Sequence, residues 1–153
     1  MQTIVAAGTW ENKDALVGQE FVSDWIQIDE ARIQQFEQAS FASELPHALN
    51  EELYPQGLIE GFHLLSVLDY LVNTVSYIQD PDWSGWNYGL DKVRFVSPVS
   101  TSDAIRVRGA IESISPRGDG VVVLYKCTLE VHGRDKPGMV AEWKVLWSLV
   151  DES

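Results

Sequence analysis

The chain has 153 residues, a formal charge of −12 with the histidines neutral, and a single cysteine, Cys127. That length serves one domain with a core of its own. The charge argues against nucleic acid and anionic membrane surfaces, and one cysteine excludes an internal disulfide or a cysteine-built zinc site.

The charge is uneven. Residues 1–91 carry 15 acidic and two basic side chains, and residues 92–153 carry eight acidic and nine basic. Lys92, Arg94, Arg106 and Arg108 are therefore the cations open to a phosphorylated ligand, unless they only solvate strand faces. Residues 1–9 lack a basic start and a sustained apolar run, so no secretory leader is expected, and a cytoplasmic, reducing location is.

In chain order, residues 1–20 show no clear period and read as an irregular lead-in. Ser23–Ile28 alternates as a short half-buried strand does. Asp29 is a good N-cap for a helix through Ile33, Phe36 and Ala39 that ends near Ser40. Residues 41–56, with Pro46 and Pro55, form a loop that holds His47, with a helical turn at Leu49 to Leu53.

The stretch that organises the chain follows. Gly61–Ile78 predicts a helix of about 27 Å. Its apolar residues, from Leu64 to Ile78, cover more than one face and predict that most of it is buried. Its length invites a membrane span, but His63, Asp69 and Asn73 inside it favour the core of a globular domain. Gly57 and Gly61 bracket its entrance, where backbone N–H groups are unpaired and the dipole is positive. A glycine there either lets a ligand oxygen approach the backbone or only relieves crowding against a sheet. Position alone favours relief of crowding.

After a turn-rich connector at residues 79–85 come strands at Trp86–Val96, Ala104–Ile114, Val121–His132 and Met139–Val150. Arg117-Gly-Asp-Gly120 is a hairpin turn between two of them. The order is strand, short helix, loop, long helix and four antiparallel strands. That is an α+β chain in which one sheet wraps a central helix, the hotdog arrangement, as one domain over residues 1–153. Such a sheet keeps an edge, which pairing into a homodimer would cover.

Three segments resemble the MaoC-like dehydratases, which include the (R)-specific enoyl-CoA hydratases. They are Phe36–His47, Ile59–Leu68 and Asn87–Val99, the last with Asn87-Tyr88-Gly89, Arg94-Phe95 and Pro98-Val99. The resemblance runs from about Val17 to Leu149. It implies a 2-enoyl or 3-hydroxyacyl thioester of coenzyme A or a carrier protein as substrate, with no other cofactor. It makes His47 the catalytic base that activates water and Gly61 the donor to the thioester oxygen. Ser66, Asn87 and Arg94 match family positions around the substrate. Where the family has Gly-Asp five residues before the histidine, this chain has Phe41-Ala42, and the histidine before the helix glycine is Glu60. Glu44 and Glu60 are the carboxylates nearest the missing one.

The remaining candidates carry competing readings. His63 is a core or interface histidine rather than a base. Glu60 is a helix-entrance carboxylate or a substitute acid. Asp69, eight residues after Gly61, resembles the helix carboxylate of hotdog thioesterases, or makes a dimer-interface hydrogen bond. Trp25, Trp83, Trp86, Trp143 and Trp147 line an acyl tunnel or pack the core. His47, His63 and His132 show no metal-ligand spacing, so no metal is expected. Three functions thus compete: a hydratase or dehydratase, a thioesterase through Gly61 and Asp69, and a non-catalytic thioester-binding or heteromer subunit.

Overall fold

The computed structural model describes residues 3–46 and 51–150. In chain order the elements are β1 (Ala6–Gly8), β2 (Glu20–Val22), β3 (Ile26–Gln27), α1 (Glu30–Ala39), α2 (Gly61–Asn73), β4 (Ser76–Ile78), β5 (Trp83–Phe95), β6 (Ala104–Arg117), β7 (Gly120–Val131) and β8 (Met139–Leu149). Five strands form an antiparallel sheet in the order β2–β6–β7–β8–β5, with β3 also on β6.

Strict alternation along β8 decides which face is inside. Met139, Ala141, Trp143, Val145 and Trp147 are buried, while Val140, Glu142 and Lys144 lie on the other face. The inner row of β7, from Val123 to Val131, and Ile105, Val107 and Ile111 of β6 join Leu64, Leu68, Leu71 and Val72 of α2 in one core. The sheet curls around α2, which is the hotdog fold.

The helix differs from its sequence reading in two ways. It ends at Asn73, so it spans about 20 Å. Thr74 Oγ1 and Asn73 Nδ2 donate to the carbonyls of Leu71 and Asp69, closing the last turn. Ser76–Ile78 then forms a parallel pair with Ala6–Gly8. Ile78 follows Leu71 and Val75 at helical spacing, but in the strand it shares the buried face with Ser76, and β-branched side chains favour the strand once a partner is present. That partner lay in the lead-in that shows no pattern.

The second difference is exposure. Only one face of α2 is buried, whereas Phe62, Ser66, Asp69, Tyr70 and Asn73 are exposed. The exposed face looks along β5, whose second edge has no partner strand among the described residues and which carries exposed Trp86, Tyr88, Leu90 and Phe95.

Helix α1 starts as expected, with Asp29 Oδ1 accepting from the Arg32 N–H at 2.9 Å. None of its residues is fully buried. The expected strand at Ser23–Ile28 shrinks to Ile26–Gln27, because Ser23 exchanges hydrogen bonds with the backbone of Val107 through both its amide and its hydroxyl. A 3-10 turn occupies Glu51–Leu53, and Leu49 falls outside the described residues. No described helix is long and apolar enough to cross a membrane.

Candidate functional site

The approach to α2 is pinned before the helix begins. Ile59 donates to the Val99 carbonyl, Leu58 bridges Ser100, and Gly57 takes φ +69°, a conformation costly for any residue with a Cβ. A Cβ on Gly57 would lie 2.6 Å from Thr101 Oγ1, so this glycine serves the turn.

Glu60 occupies the N-cap with extended backbone, and its exposed carboxylate makes no capping bond. Its carbonyl accepts from His63 and Leu64. The N–H groups of Gly61 and Phe62 have no hydrogen-bond partner among the described residues. Two donors at the positive end of a helix dipole can hold an oxyanion. The crowding at Gly61 is also real, since a Cβ there would meet the Phe95 ring at 2.8 Å.

From this entrance a groove runs between the exposed face of α2 and β5. Its outer part, about 580 Å³, is lined by Phe62, Leu65, Ser66, Asp69, Tyr88 and Trp143 among others. An inner chamber of about 240 Å³ continues past Asp69 and Asn73 to Tyr125 and Trp147. Helical geometry explains the lining, because Phe62, Ser66, Asp69 and Asn73 follow one another at intervals of four, three and four along one stripe. Their spacing was readable in the sequence. Only the strand opposite shows that the stripe faces a cavity.

Three hydrogen bonds join groups along the groove. Ser66 Oγ donates to the His63 carbonyl at 2.7 Å. Asn73 Nδ2 donates to Asp69 Oδ1 at 2.7 Å. Asn87 Oδ1 accepts from the Trp143 indole at 3.1 Å. Deeper, burial raises the Tyr125 phenol well above its ordinary value, while the Ser76 hydroxyl close to it works the other way. Ser76 Oγ is fully buried and lacks a hydrogen bond of normal geometry among the described residues.

The described residues include the first part of the loop to which the family resemblance assigns the base. Ala42–Glu44 is a 3-10 turn, entered from Phe41 in the left-handed conformation at φ 64°. Ala42 is half-buried and Glu44 exposed. His47 lies outside the described residues.

The expected cations do not gather at this site. Arg94 pairs in register with Val140, on the sheet face away from α2, and faces a separate depression with Lys92 and Arg108. Arg106 is not a solvated strand residue. It is 3% exposed, bonded to Glu130 at 2.7 Å and stacked over Trp25 at 4.3 Å. Arg108 binds Glu130 and Glu20, and Lys92 approaches Glu142. The tryptophans divide: Trp143 and Trp147 are core, Trp83 is half-buried, Trp86 is 64% exposed, and Trp25 lies outside the groove.

His63 is buried and stacked flat on Phe36 at 4.4 Å, tying α2 to α1. Burial, and then the charge of Arg32, hold its pKa below the ordinary value. The unfolded chain therefore binds this proton more readily than the folded one, and stability falls as pH drops below the ordinary histidine range. Melting temperature should decline from about pH 7 to about pH 5, with a smaller decline in His63→Phe, whose ring keeps the stack. Identical declines in thermal scans of the two proteins would exclude His63 as their source.

No protein-family model matches the chain. Over 135 residues it is 32% identical to Nodulation protein N of Rhizobium leguminosarum bv. viciae, covering 83% of each sequence. Over 125 residues it is 30% identical to 3-hydroxyacyl-thioester dehydratase Z of Mycobacterium tuberculosis, covering 78% of this chain and 82% of that one. Among solved structures, a monoamine oxidase regulatory protein from Archaeoglobus fulgius superposes with a TM-score of 0.73 at 18% identity, covering 97% and 99% of the two chains. The MaoC-like dehydratase from Rhodospirillum rubrum does so with 0.63 at 19% identity, covering 92% and 97%.

Proposed function

The chain belongs to the MaoC-like dehydratase family, and we propose that its α2 groove binds an acyl thioester of coenzyme A or a carrier protein and hydrates the 2-enoyl form, or dehydrates the 3-hydroxyacyl form. One observation carries this reading. The unpartnered N–H groups of Gly61 and Phe62 stand at the head of the helix whose exposed stripe lines the groove.

In this reading the thioester oxygen accepts from the Gly61 N–H. His47 takes a proton from water as the water oxygen bonds to the β-carbon, and the electron pair moves through the α-carbon to the oxygen at Gly61. The enolate then collapses as the α-carbon takes up a proton. This divides the work into general base catalysis and oxyanion stabilisation. Ala42 supplies nothing to hold the water, so turnover is slow, and Glu60 opposes the developing negative charge.

A second copy paired along the open edge of β5 would cover Trp86, Tyr88 and Leu90, and the preparation should sediment as a dimer. The thioesterase reading has one observation in its favour, since Asp69 lines the same groove. Yet Asp69 lies about 12 Å along the helix from Gly61, so one thioester could meet both only if they came from different copies.

The test offers crotonyl-CoA and a panel of saturated acyl-CoAs to one preparation. Loss of enoyl absorbance that disappears in His47→Ala supports the hydratase. Thiol release that disappears in Asp69→Asn supports the thioesterase. Acyl-CoA binding with neither signal leaves a binding or partner subunit, and absence of binding across the panel removes the thioester reading altogether.

A further inference from the structure

The inner chamber of the groove is more polar than an alkyl chain needs. Asp69 lines both the outer groove and the chamber, and Asn73, one turn further on, lines the chamber. Trp83, Trp143 and Trp147 supply apolar walls, and the Tyr125 hydroxyl reaches the same end. That hydroxyl is close enough to Asp69 and to Ser76 to feel both electrostatically. Ser76 does not line the chamber; its buried hydroxyl stands behind Tyr125.

The donor and acceptor count is lopsided. Asn73 Nδ2 donates to Asp69 Oδ1 and to the Asp69 carbonyl. Among the described residues Asp69 Oδ2 has no donor, and Asn87 Oδ1 accepts only from Trp143. An occupant ending in a methyl group would strip water from the free carboxylate oxygen and return nothing. One ending in O–H or N–H would restore the lost bond, and a cationic end would also face tryptophan.

From these observations, and resting on the thioester reading above, we propose that the chamber holds the distal end of the acyl chain and that Asp69 selects acyl groups ending in a hydrogen-bond donor, a hydroxyl or an ammonium. Asp69 is about 12 Å along α2 from Gly61, a span for a medium-length chain rather than a crotonyl group. Asp69 acts here as a specificity-determining residue and takes no part in the chemistry at the thioester.

Calorimetry with octanoyl-CoA, 8-hydroxyoctanoyl-CoA and 8-aminooctanoyl-CoA tests this. Wild type should bind the hydroxy or amino thioester at least about tenfold more tightly than octanoyl-CoA. A preference for the amino form alone identifies charge as the dominant element, and equal gains for both identify hydrogen bonding. Asp69→Leu should reverse the order towards octanoyl-CoA, and Asp69→Asn should keep hydroxyl binding while losing the ammonium gain. Asp69 is exposed on a helix, and circular dichroism confirms that each variant folds. Equal affinity for all three in wild type overturns the selection while leaving the thioester reading intact. So does a change in dimer dissociation without a change in selectivity, which would make Asp69 an interface residue. Binding of none of the three removes both.

Discussion

Ala42→Asp is expected to raise the rate of crotonyl-CoA hydration by about 10²-fold or more, because it restores the group that holds water against the base. The backbone is prepared for it. The family pattern places Gly-Asp where this chain has Phe41-Ala42, and Phe41 still takes the left-handed conformation, φ 64°, that glycine enters without cost. The turn thus keeps the course of a glycine turn although the glycine is gone, and Ala42 sits half-buried at the start of its 3-10 turn. Phe41 is 71% exposed, so little packing offsets the strain. Adding Phe41→Gly should therefore stabilise the loop by about 1 kcal/mol without undoing the gain. Enoyl absorbance in single-turnover and steady-state assays reads the effect. If Ala42→Asp leaves the rate unchanged while acyl-CoA still binds, position 42 does not face the substrate and the family's water-holding role does not transfer to it.

The sheet was legible because its strands obey one rule. Alternation from Met139 to Trp147 and a hairpin turn within Arg117–Gly120 are local signals, and the structure keeps both, although the two loop residues are Gly118 and Asp119 rather than Asp119 and Gly120. What stayed hidden depends on partners distant in sequence. Ala6–Gly8 has no pattern of its own and becomes a strand only against Ser76–Ile78, which in turn shortens α2. The site divides in the same way. Gly61 at a helix entrance is a local feature, and so is the loss of the acid at Ala42. That Asp69 and Asn73 meet tryptophans from β5 and β8 follows from the curl of the sheet, which no window of sequence contains. Arg94 shows the reverse error, for its motif marks the strand, and the bulges between Asn87 and Lys92 decide which face it takes.

Gly61→Ala separates the two roles that this glycine combines. As an oxyanion donor, Gly61 needs its N–H open to a thioester oxygen, and a methyl group pressed against the Phe95 ring would displace the ring towards that space. The expected result is a loss of about 10²- to 10³-fold in kcat/KM on enoyl thioesters, with acyl-CoA affinity also reduced. Stability should change little. The clash at 2.8 Å is with the far end of Phe95, which is 48% exposed on the open edge and free to turn away. Alanine is also a better helix former than glycine by about 1 kcal/mol. Phe95→Leu combined with Gly61→Ala gives the decisive comparison. If the glycine only relieves crowding, the smaller side chain at 95 restores both melting temperature and activity. If the N–H must be open to ligand, the double variant melts like the wild type and remains inactive, because the methyl group still stands where the substrate approaches the head of α2.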